Sequence, residues 1–156
     1  MSVVIDIAVE SESWHRIIGA ELIVHRAAVA ACEEAGVDAG EVSVVLCDDA
    51  RMQELNRDFR NMDKPTNVLS FPSNETENDA RFYGDIAIAY ETLMREAAEE
   101  KKRVDAHLSH LAAHGTLHLL GFDHENDAEA EAMESRERKI LAKFGFPDPY
   151  SMQVEA

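Results

Sequence analysis

Residues 114–124 read HGTLHLLGFDH, and this stretch decides both the local fold and the chemistry that we expect. His114 and His118 are four residues apart, so on a helix their imidazoles project from one face, one turn apart. Gly121 can adopt the left-handed conformation that ends a helix, which lets the chain reverse and bring His124 to the same place. Three neutral imidazoles that leave one coordination position open are typical of a catalytic zinc site. The stretch therefore predicts a metal site on a helix and the following turn.

The spacing HxxxHxxGxxH is also that of metzincin peptidases, in which a glutamate follows the first histidine and activates water. Here that position is Gly115. A peptidase that depends on this carboxylate is therefore excluded, although the metal ligands are in place. The bland alternative is a set of core histidines that hydrogen-bond to each other or to the backbone.

Two neighbours of the motif are further candidates. His110 lies four residues before His114 and shares its helix face, so it is a candidate for contact with the substrate. The alternative is a packed or solvated histidine. Asp123 is next to His124 and is a candidate to orient a ligand imidazole from behind, as carboxylates often do at metal sites. The alternative is a residue that caps the turn.

The charge distribution narrows the kind of partner. The chain carries 15 Lys and Arg against 31 Asp and Glu, a net charge of −16, which argues against a generic basic nucleic-acid coat. Residues 51–72 hold four basic and three acidic side chains, and residues 101–124 hold three and two. These two stretches are the parts of the chain that escape the acidic background, and both contain a motif.

The stretch LNRDFRNMDKPTNVLSFP, residues 55–72, indicates a phosphate site. Arg57, Arg60 and Lys64 cluster around a turn there, and the planar donor fork of arginine suits phosphate oxygens. Asp85, in the sequence GDI at the start of a strand, is a more distant acid that is a candidate to contact substrate or take a proton. The alternatives are solvated helix arginines and an ordinary turn acid.

The order of elements predicts one domain over residues 1–156. We predict four strands and about five helices in mixed order, an α+β or α/β domain with one small sheet. The strands are expected at 3–9, 41–47, 67–71 and 84–90. The helices are expected at 13–35, from a cap at Asp48 or Asp49 to about residue 60, at 91–120 with a break near 102–104, and at 126–145. Residues 73–81 are predicted to be a loop. Cys32 and Cys47 form no CxxC pair, and no apolar run is long enough for a membrane span, so the expected location is cytoplasmic.

The motif HGTLHLLGFDH, together with NRDFRNMDKPTNVLSFP and GDI, closely resembles the YbeY family of bacterial metal-dependent endoribonucleases. The resemblance runs from about residue 42 to residue 150, including the ending FGFPDPY. It implies a small α+β domain with a central mixed four-stranded sheet and one Zn²⁺ per chain in a cleft, although other divalent ions can bind in vitro. It matches His114, His118 and His124 to the metal ligands. It matches Arg60 to an arginine that serves catalysis or RNA binding.

The resemblance implies an enzyme that cleaves single-stranded RNA, with roles in rRNA maturation at the 3′ end of the small ribosomal subunit and in ribosome quality control. The expected partners are RNA and the ribosome or its small subunit, with no DNA and no membrane. The metal site, including His114, would activate water or polarise phosphate, while Arg60 stabilises the charge of the transition state. Attack by water and attack by the RNA 2′-OH both remain open.

Two other functions remain as alternatives. One is a metal-stabilised RNA-binding or ribosome-binding assembly factor with little cleavage activity of its own. The other is a hydrolase of a different substrate such as a peptide, against which Gly115 argues. Few exposed aromatic residues are evident, so we predict no base-stacking platform, with Phe59 and Phe82 as the possible exceptions. Specificity is then expected to come from docking on the ribosome.

Overall fold

A computed structural model of the protein describes residues 3–77 and 80–150. The strands are Val4–Val9 (β1), Glu41–Cys47 (β2), Val68–Pro72 (β3), Thr76–Glu77 (β4) and Ala80–Ala89 (β5). The α-helices are Ala20–Glu34 (α1), Asp49–Arg60 (α2), Tyr90–Glu99 (α3), Val104–Leu119 (α4) and Asp127–Lys143 (α5), and a short 3-10 helix spans Glu12–Arg16.

Four strands form the main sheet in the order β1-β2-β5-β3. The first three are parallel to one another, whereas β3 runs antiparallel to β5 at one edge of the sheet. The two-residue strand β4 pairs only with the beginning of β5. This arrangement confirms the α+β class and the small mixed four-stranded sheet.

The two faces of the sheet are covered by different helices. On one face, α4 packs against β3 and β5 and is itself flanked by α1, α3 and α5. The apolar residues Val44, Ile86 and Leu108 lie in the large core cluster on this side. On the other face, Met52 of α2 is buried against Ala87 and Ala89 of β5. The alternation of side chains along β5 therefore separates a face that meets α4 from a face that meets α2.

Helix α2 has the bounds that the sequence predicted, and its ends explain why. The Asp48 side chain accepts a hydrogen bond from the backbone N–H of Arg51 at 2.8 Å and so caps the first turn. At the other end Asn61 has a positive φ of 58°, which stops the helix immediately after Arg60. Helix α5 is also capped, because the Asn126 side chain accepts from the backbone N–H of Glu129 and donates to the Glu129 carboxylate.

The single helix predicted over 13–35 is wrong, since the chain forms a 3-10 helix and then α1. Gly19 has a φ of +71°, which separates the two segments. The first segment turns inward to bury Trp14, whose indole N–H donates to the carbonyl of Cys47 at 2.8 Å. The periodicity of apolar residues continued across both segments and therefore gave no sign of the break.

Two further expectations have different outcomes. The predicted break in the helical stretch 91–120 is confirmed, because α3 ends at residue 99 and α4 begins at 104. The predicted loop 73–81 instead contains β4 and the first residues of β5, and residues 78–79 lie outside the described residues. In the part of the chain that the structure describes, no helix has both the length and the apolar character that a transmembrane span requires.

Gly115 lets α4 approach the sheet closely. A Cβ atom at this position would lie 2.9 Å from Cγ2 of Ile86 and 3.2 Å from Cγ2 of Val68. The hydroxyl of Ser70 also donates to the Gly115 carbonyl at 3.1 Å. The position after the first histidine of the motif thus faces the sheet, so a glutamate would not fit there.

We predict that Gly115→Ala destabilises the protein by about 1–3 kcal/mol, because β-branched neighbours must move to admit the new methyl group. Glycine to alanine at an unobstructed helix position would instead stabilise the fold by up to about 1 kcal/mol. Urea unfolding followed by circular dichroism measures the free-energy difference between the two proteins. A stabilised variant would contradict the close packing of α4 on β3 and β5.

Candidate metal centre

The three histidines of the motif come together at the C-terminal end of α4. His114 and His118 lie on its last turns, and Gly121, with a φ of +102°, reverses the chain so that His124 faces them. One nitrogen from each ring lies within 4.8 Å of the other two. The ring centroids are 4.8 Å apart for 114 and 118, 5.6 Å for 114 and 124, and 5.0 Å for 118 and 124. The structure therefore forms the cluster that the spacing predicted.

The surroundings of His118 favour its neutral imidazole, which is the form that binds a metal ion. Burial lowers the pKa of His118 below its ordinary value of 6.5, and a charge on His114 or His124 would lower it further. No carboxylate joins this group of three donors among residues 3–77 and 80–150. Three imidazoles without a fourth protein donor fit a divalent ion that keeps a position open for water or substrate.

Glu137 of α5 makes a hydrogen bond to Nδ1 of His114, the first of these histidines. Its side chain is fully buried, and its Oε1 lies 2.8 Å from Nδ1 of His114. Its Oε2 lies 2.5 Å from Nε2 of His110 and also accepts a hydrogen bond from the Tyr150 hydroxyl. The carboxylate thus receives hydrogen bonds from three side chains, two on α4 and one on the C-terminal segment.

The ionisation of Glu137 fixes the tautomer of His114. Burial alone would raise the pKa of Glu137, but the hydrogen bonds from His110 and His114 oppose this and lower it to about 2. The ionised carboxylate only accepts hydrogen bonds, so Nδ1 of His114 must carry the proton. Its Nε2 then keeps a lone pair for a metal ion, as is usual when a carboxylate supports a ligand histidine.

The histidine cluster lines a cleft of about 530 Å³, and Arg60 lines the same cleft. The guanidinium of Arg60 donates to the carbonyl of Ser70 at 2.7 Å. Because the Ser70 hydroxyl bonds to Gly115 on α4, this residue of β3 links Arg60 to α4. The cleft is lined by residues of β3, α4 and the turn after it: Arg60, Asn67, Val68, Leu69, Ser70, Pro72, His114, His118, Gly121, Phe122, Asp123 and His124.

Asp123 and His110 have different places relative to this cleft. Asp123 lines it, but Oδ1 accepts from the backbone N–H of His124 at 2.8 Å and is 3.9 Å from Nδ1 of that residue. It therefore caps the turn and makes no hydrogen bond to the imidazole. His110 lies outside the lining and contacts Glu137 instead.

The structure does not bring Arg57, Lys64 and Asp85 into the cleft lining. Arg57 is exposed and donates to Asp58 at 3.1 Å, a contact that raises its pKa. Lys64 is also exposed. Asp85 falls on the face of β5 that meets α2, opposite the face that meets α4, and burial together with Glu75 raises its pKa.

The sequence analysis missed Glu137 and Tyr150, although each leaves a signal. Glu137 lies four residues after Met133 and three before Ile140, both buried, so a carboxylate occupies the apolar stripe of α5. Tyr150 belongs to the FGFPDPY ending, where Asp148 accepts from its backbone N–H at 2.8 Å. A charged residue in an apolar stripe indicates a buried partner, but the sequence alone does not identify that partner.

Comparison with known proteins bears on what this cleft does. The family model described as Endoribonuclease YbeY matches residues 7–145. A relative from Nitrobacter winogradskyi, named Endoribonuclease YbeY, is 51% identical over 156 residues, which is 95% of this chain and 82% of the relative. A relative of the same name from Rhodopseudomonas palustris (strain BisB18) is 54% identical over 155 residues, 95% of this chain and 92% of that one.

A solution structure of a protein from Thermotoga maritima has the same fold. The two superpose with a TM-score of 0.59 over 95% of this chain and 99% of that chain, at 24% sequence identity. This likeness supports the α+β architecture.

Replacing Glu137 is expected to weaken metal binding without removing a ligand. Glu137→Gln keeps the size of the side chain but loses the carboxylate that accepts the Nδ1–H of His114, so we predict a fall in zinc affinity of about 10- to 100-fold. Competition with a chromophoric chelator measures the affinity. Glu131→Gln, an exposed position on the same helix, is the matched control. Equal affinities of Glu137→Gln and the unaltered protein would contradict a role for Glu137 in holding the ligand.

Zinc affinity is also expected to fall on acidification. Because burial keeps the pKa of His118 below 6.5, protons compete at this imidazole only below that pH. Each imidazole that takes up a proton lowers the apparent affinity by about tenfold per pH unit. Calorimetric titration at about pH 7.5, 6.5 and 5.5 tests this expectation. Affinity that stays constant or rises at the lowest pH would show that the ion is not held by these imidazoles.

Proposed function

The chain belongs to the YbeY family of endoribonucleases, and on this premise we propose that it cleaves single-stranded RNA in the cleft between Arg60 and the three histidines. The observation that carries the proposal is that one cleft is lined by an arginine and by three imidazoles whose nitrogens lie within 4.8 Å of one another. The arginine suits a phosphate, and the imidazoles suit a divalent cation. The cleft thus offers two kinds of group that can bind a phosphodiester.

His114, His118 and His124 are the residues that would hold the ion, with Zn²⁺ as the proposed metal. Their donor set fits, because neutral nitrogen ligands without a carboxylate suit zinc better than magnesium or calcium. When bound there, a divalent ion supplies Lewis acidity to a phosphoryl oxygen and lowers the pKa of bound water.

Arg60 is the proposed phosphate-binding and transition-state residue. One of its N–H groups is used by the Ser70 carbonyl, which fixes the guanidinium at the edge of β3. The remaining N–H donors of the guanidinium are available to phosphate oxygens, whose negative charge grows during displacement. A donor that is already oriented stabilises this charge without reorganisation during the reaction.

The residue that could accept a proton differs from that of the peptidases with the same histidine spacing. Gly115 offers no carboxylate, and Asp85 lies on the opposite face of the sheet from α4. Asp123 is the acidic residue among those that line the cleft, and its Oδ1 already accepts from the backbone. We therefore place any carboxylate-assisted proton transfer at Asp123 rather than at Asp85.

We also propose that the RNA is ribosomal. The family supports a role in maturation of rRNA at the 3′ end of the small subunit and in ribosome quality control, with the ribosome or its small subunit as partner. Cys32 and Cys47 are buried and free, which supports a location in the reducing cytoplasm. One endoribonuclease domain over residues 1–156 is part of the same proposal.

Two substitutions of residues that line the cleft test the proposed reaction. We expect His114→Ala to lose both tightly bound zinc and RNA cleavage. Arg60→Ala is expected to keep the metal and to lower kcat by about 100- to 1000-fold, because it removes a donor from the developing charge. Metal content by mass spectrometry and cleavage of a labelled single-stranded RNA are measured on the same preparations.

Arg51→Ala is the matched control. Arg51 is an exposed arginine that pairs with Glu54 and lies on α2, the helix that also carries Arg60. This variant should cleave like the unaltered protein. If His114→Ala lost its metal and still cleaved RNA at the normal rate, the enzymatic proposal would fail. If metal raised the unfolding temperature of the unaltered protein but produced no cleavage, the assembly-factor alternative would be favoured.

A further inference from the structure

Phe59 is an aromatic side chain that projects into solvent beside the cleft. It lies on the last turn of α2, directly before Arg60, and 64% of its surface is exposed. Among the phenylalanine, tyrosine and tryptophan residues in the described part of the chain, Tyr150 is the other one with an exposed ring, at 39%. The hydroxyl of Tyr150 is already bonded to Glu137. Phe82, the other aromatic residue considered from the sequence, is partly buried.

Phe71 supports the Phe59 ring from one side. The two rings meet edge to face, with centroids 5.3 Å apart and planes at 67°. Phe71 is itself partly buried on the sheet, next to the cluster that includes Met52 and Leu69. In an edge-to-face pair at least one face of the exposed ring is not covered by its neighbour. Phe59 is therefore held in place and still offers a ring face to a ligand.

Arg60 connects this aromatic pair to the cleft. Its guanidinium carbon is 5.7 Å from the centroid of Phe71, and the same residue lines the cleft that His114 also lines. Strand β3, which carries Phe71, is the edge of the sheet, and no strand among residues 3–77 and 80–150 covers its outer side. The surface therefore runs from Phe59 over the sheet edge to the candidate phosphate site.

The charge next to Phe59 suits a nucleic acid better than an apolar protein segment. Arg57 and Lys64 are exposed on the same helix end and the following turn, within the stretch 51–72 that escapes the acidic background. Aromatic faces that alternate with cationic side chains are what proteins use to bind single strands, where bases stack and phosphates pair with the cations.

We propose that Phe59 stacks on an unpaired base of the RNA, close to the phosphate that enters the cleft beside Arg60. The inference rests on the proposed function and adds a base-binding site to it. Phe59 is one of the two exceptions to the expectation from the sequence that the protein has no stacking platform. Stacking tolerates any base, because every base has a π face, so it agrees with weak sequence reading by the isolated protein.

Substitutions at Phe59 separate stacking from a general apolar contact. Binding of a fluorescein-labelled single-stranded RNA to the zinc-loaded protein is followed by stopped-flow anisotropy, which records association before cleavage. We expect Phe59→Ala and Phe59→Leu to raise Kd by about tenfold and Phe59→Tyr to stay within about twofold of the unaltered protein. Ile18→Ala is the control, because Ile18 is 95% exposed and does not line the cleft.

A scan with abasic nucleotides shows whether the partner is a base. In the unaltered protein, removal of one base near the cleavage site should raise Kd by about tenfold, and in Phe59→Ala the same removal should have no further effect. Full affinity of Phe59→Leu would show an apolar contact without stacking and overturn the inference, as would an unchanged Kd of Phe59→Ala.

The outcome is distinguishable from failure of the proposed function. If the unaltered protein cleaves RNA while Phe59→Ala binds RNA equally well, stacking is wrong and the endoribonuclease proposal stands. If the unaltered protein binds RNA through Phe59 but does not cleave it, the stacking site stands and the cleavage proposal fails.

Discussion

The close approach of helix α4 to the sheet at Gly115 is the constraint on which the site depends. Ser70 stands at this contact and bonds in two directions, through its hydroxyl to the Gly115 carbonyl and through its carbonyl to Arg60. His114 directly precedes Gly115 on α4, and Arg60 donates to the Ser70 carbonyl. Both side chains are therefore positioned relative to the same residue of β3. A side chain at position 115 would move α4 outward and widen the cleft. The packing of the core therefore also sets the spacing of the candidate catalytic groups.

The site also depends on a buried charge, the carboxylate of Glu137. Burying a carboxylate costs several kcal/mol unless hydrogen bonds compensate, and Glu137 receives them from His110, His114 and Tyr150. These partners lie on α4 and on the segment after α5, so α5 and the chain end must dock correctly before the carboxylate is satisfied. The Glu137 carboxylate also fixes the orientation of His114, although Glu137 does not line the cleft. The buried acid is therefore better understood as a support for a ligand than as a contribution to core stability.

The sequence predicted the parts of this structure that local rules determine. The three histidines were found because helix periodicity and one glycine fix their placement, and α2 was bounded correctly because Asp48 caps it locally. The break at Gly19 was missed because apolar periodicity continues through it, and only tertiary burial of Trp14 explains the turn. Glu137 was missed for a related reason, since its partners come from distant positions in the chain. Arg57 and Arg60 look alike in sequence, and only the edge of β3 distinguishes them.

The net negative charge of the protein opposes the binding of RNA that the proposed function of the cleft requires. An acidic body repels a polyanion, but at physiological ionic strength this repulsion is screened over about 8 Å, so short-range contacts decide where RNA is held. With neutral imidazoles, the charged residues that line the cleft are Arg60 and Asp123, which cancel. A divalent cation would therefore supply most of the positive charge that a phosphate meets there, and binding of the cation and of RNA must favour each other. On the proposed function, occupancy of the histidine cluster is therefore a condition for tight binding of RNA in the cleft.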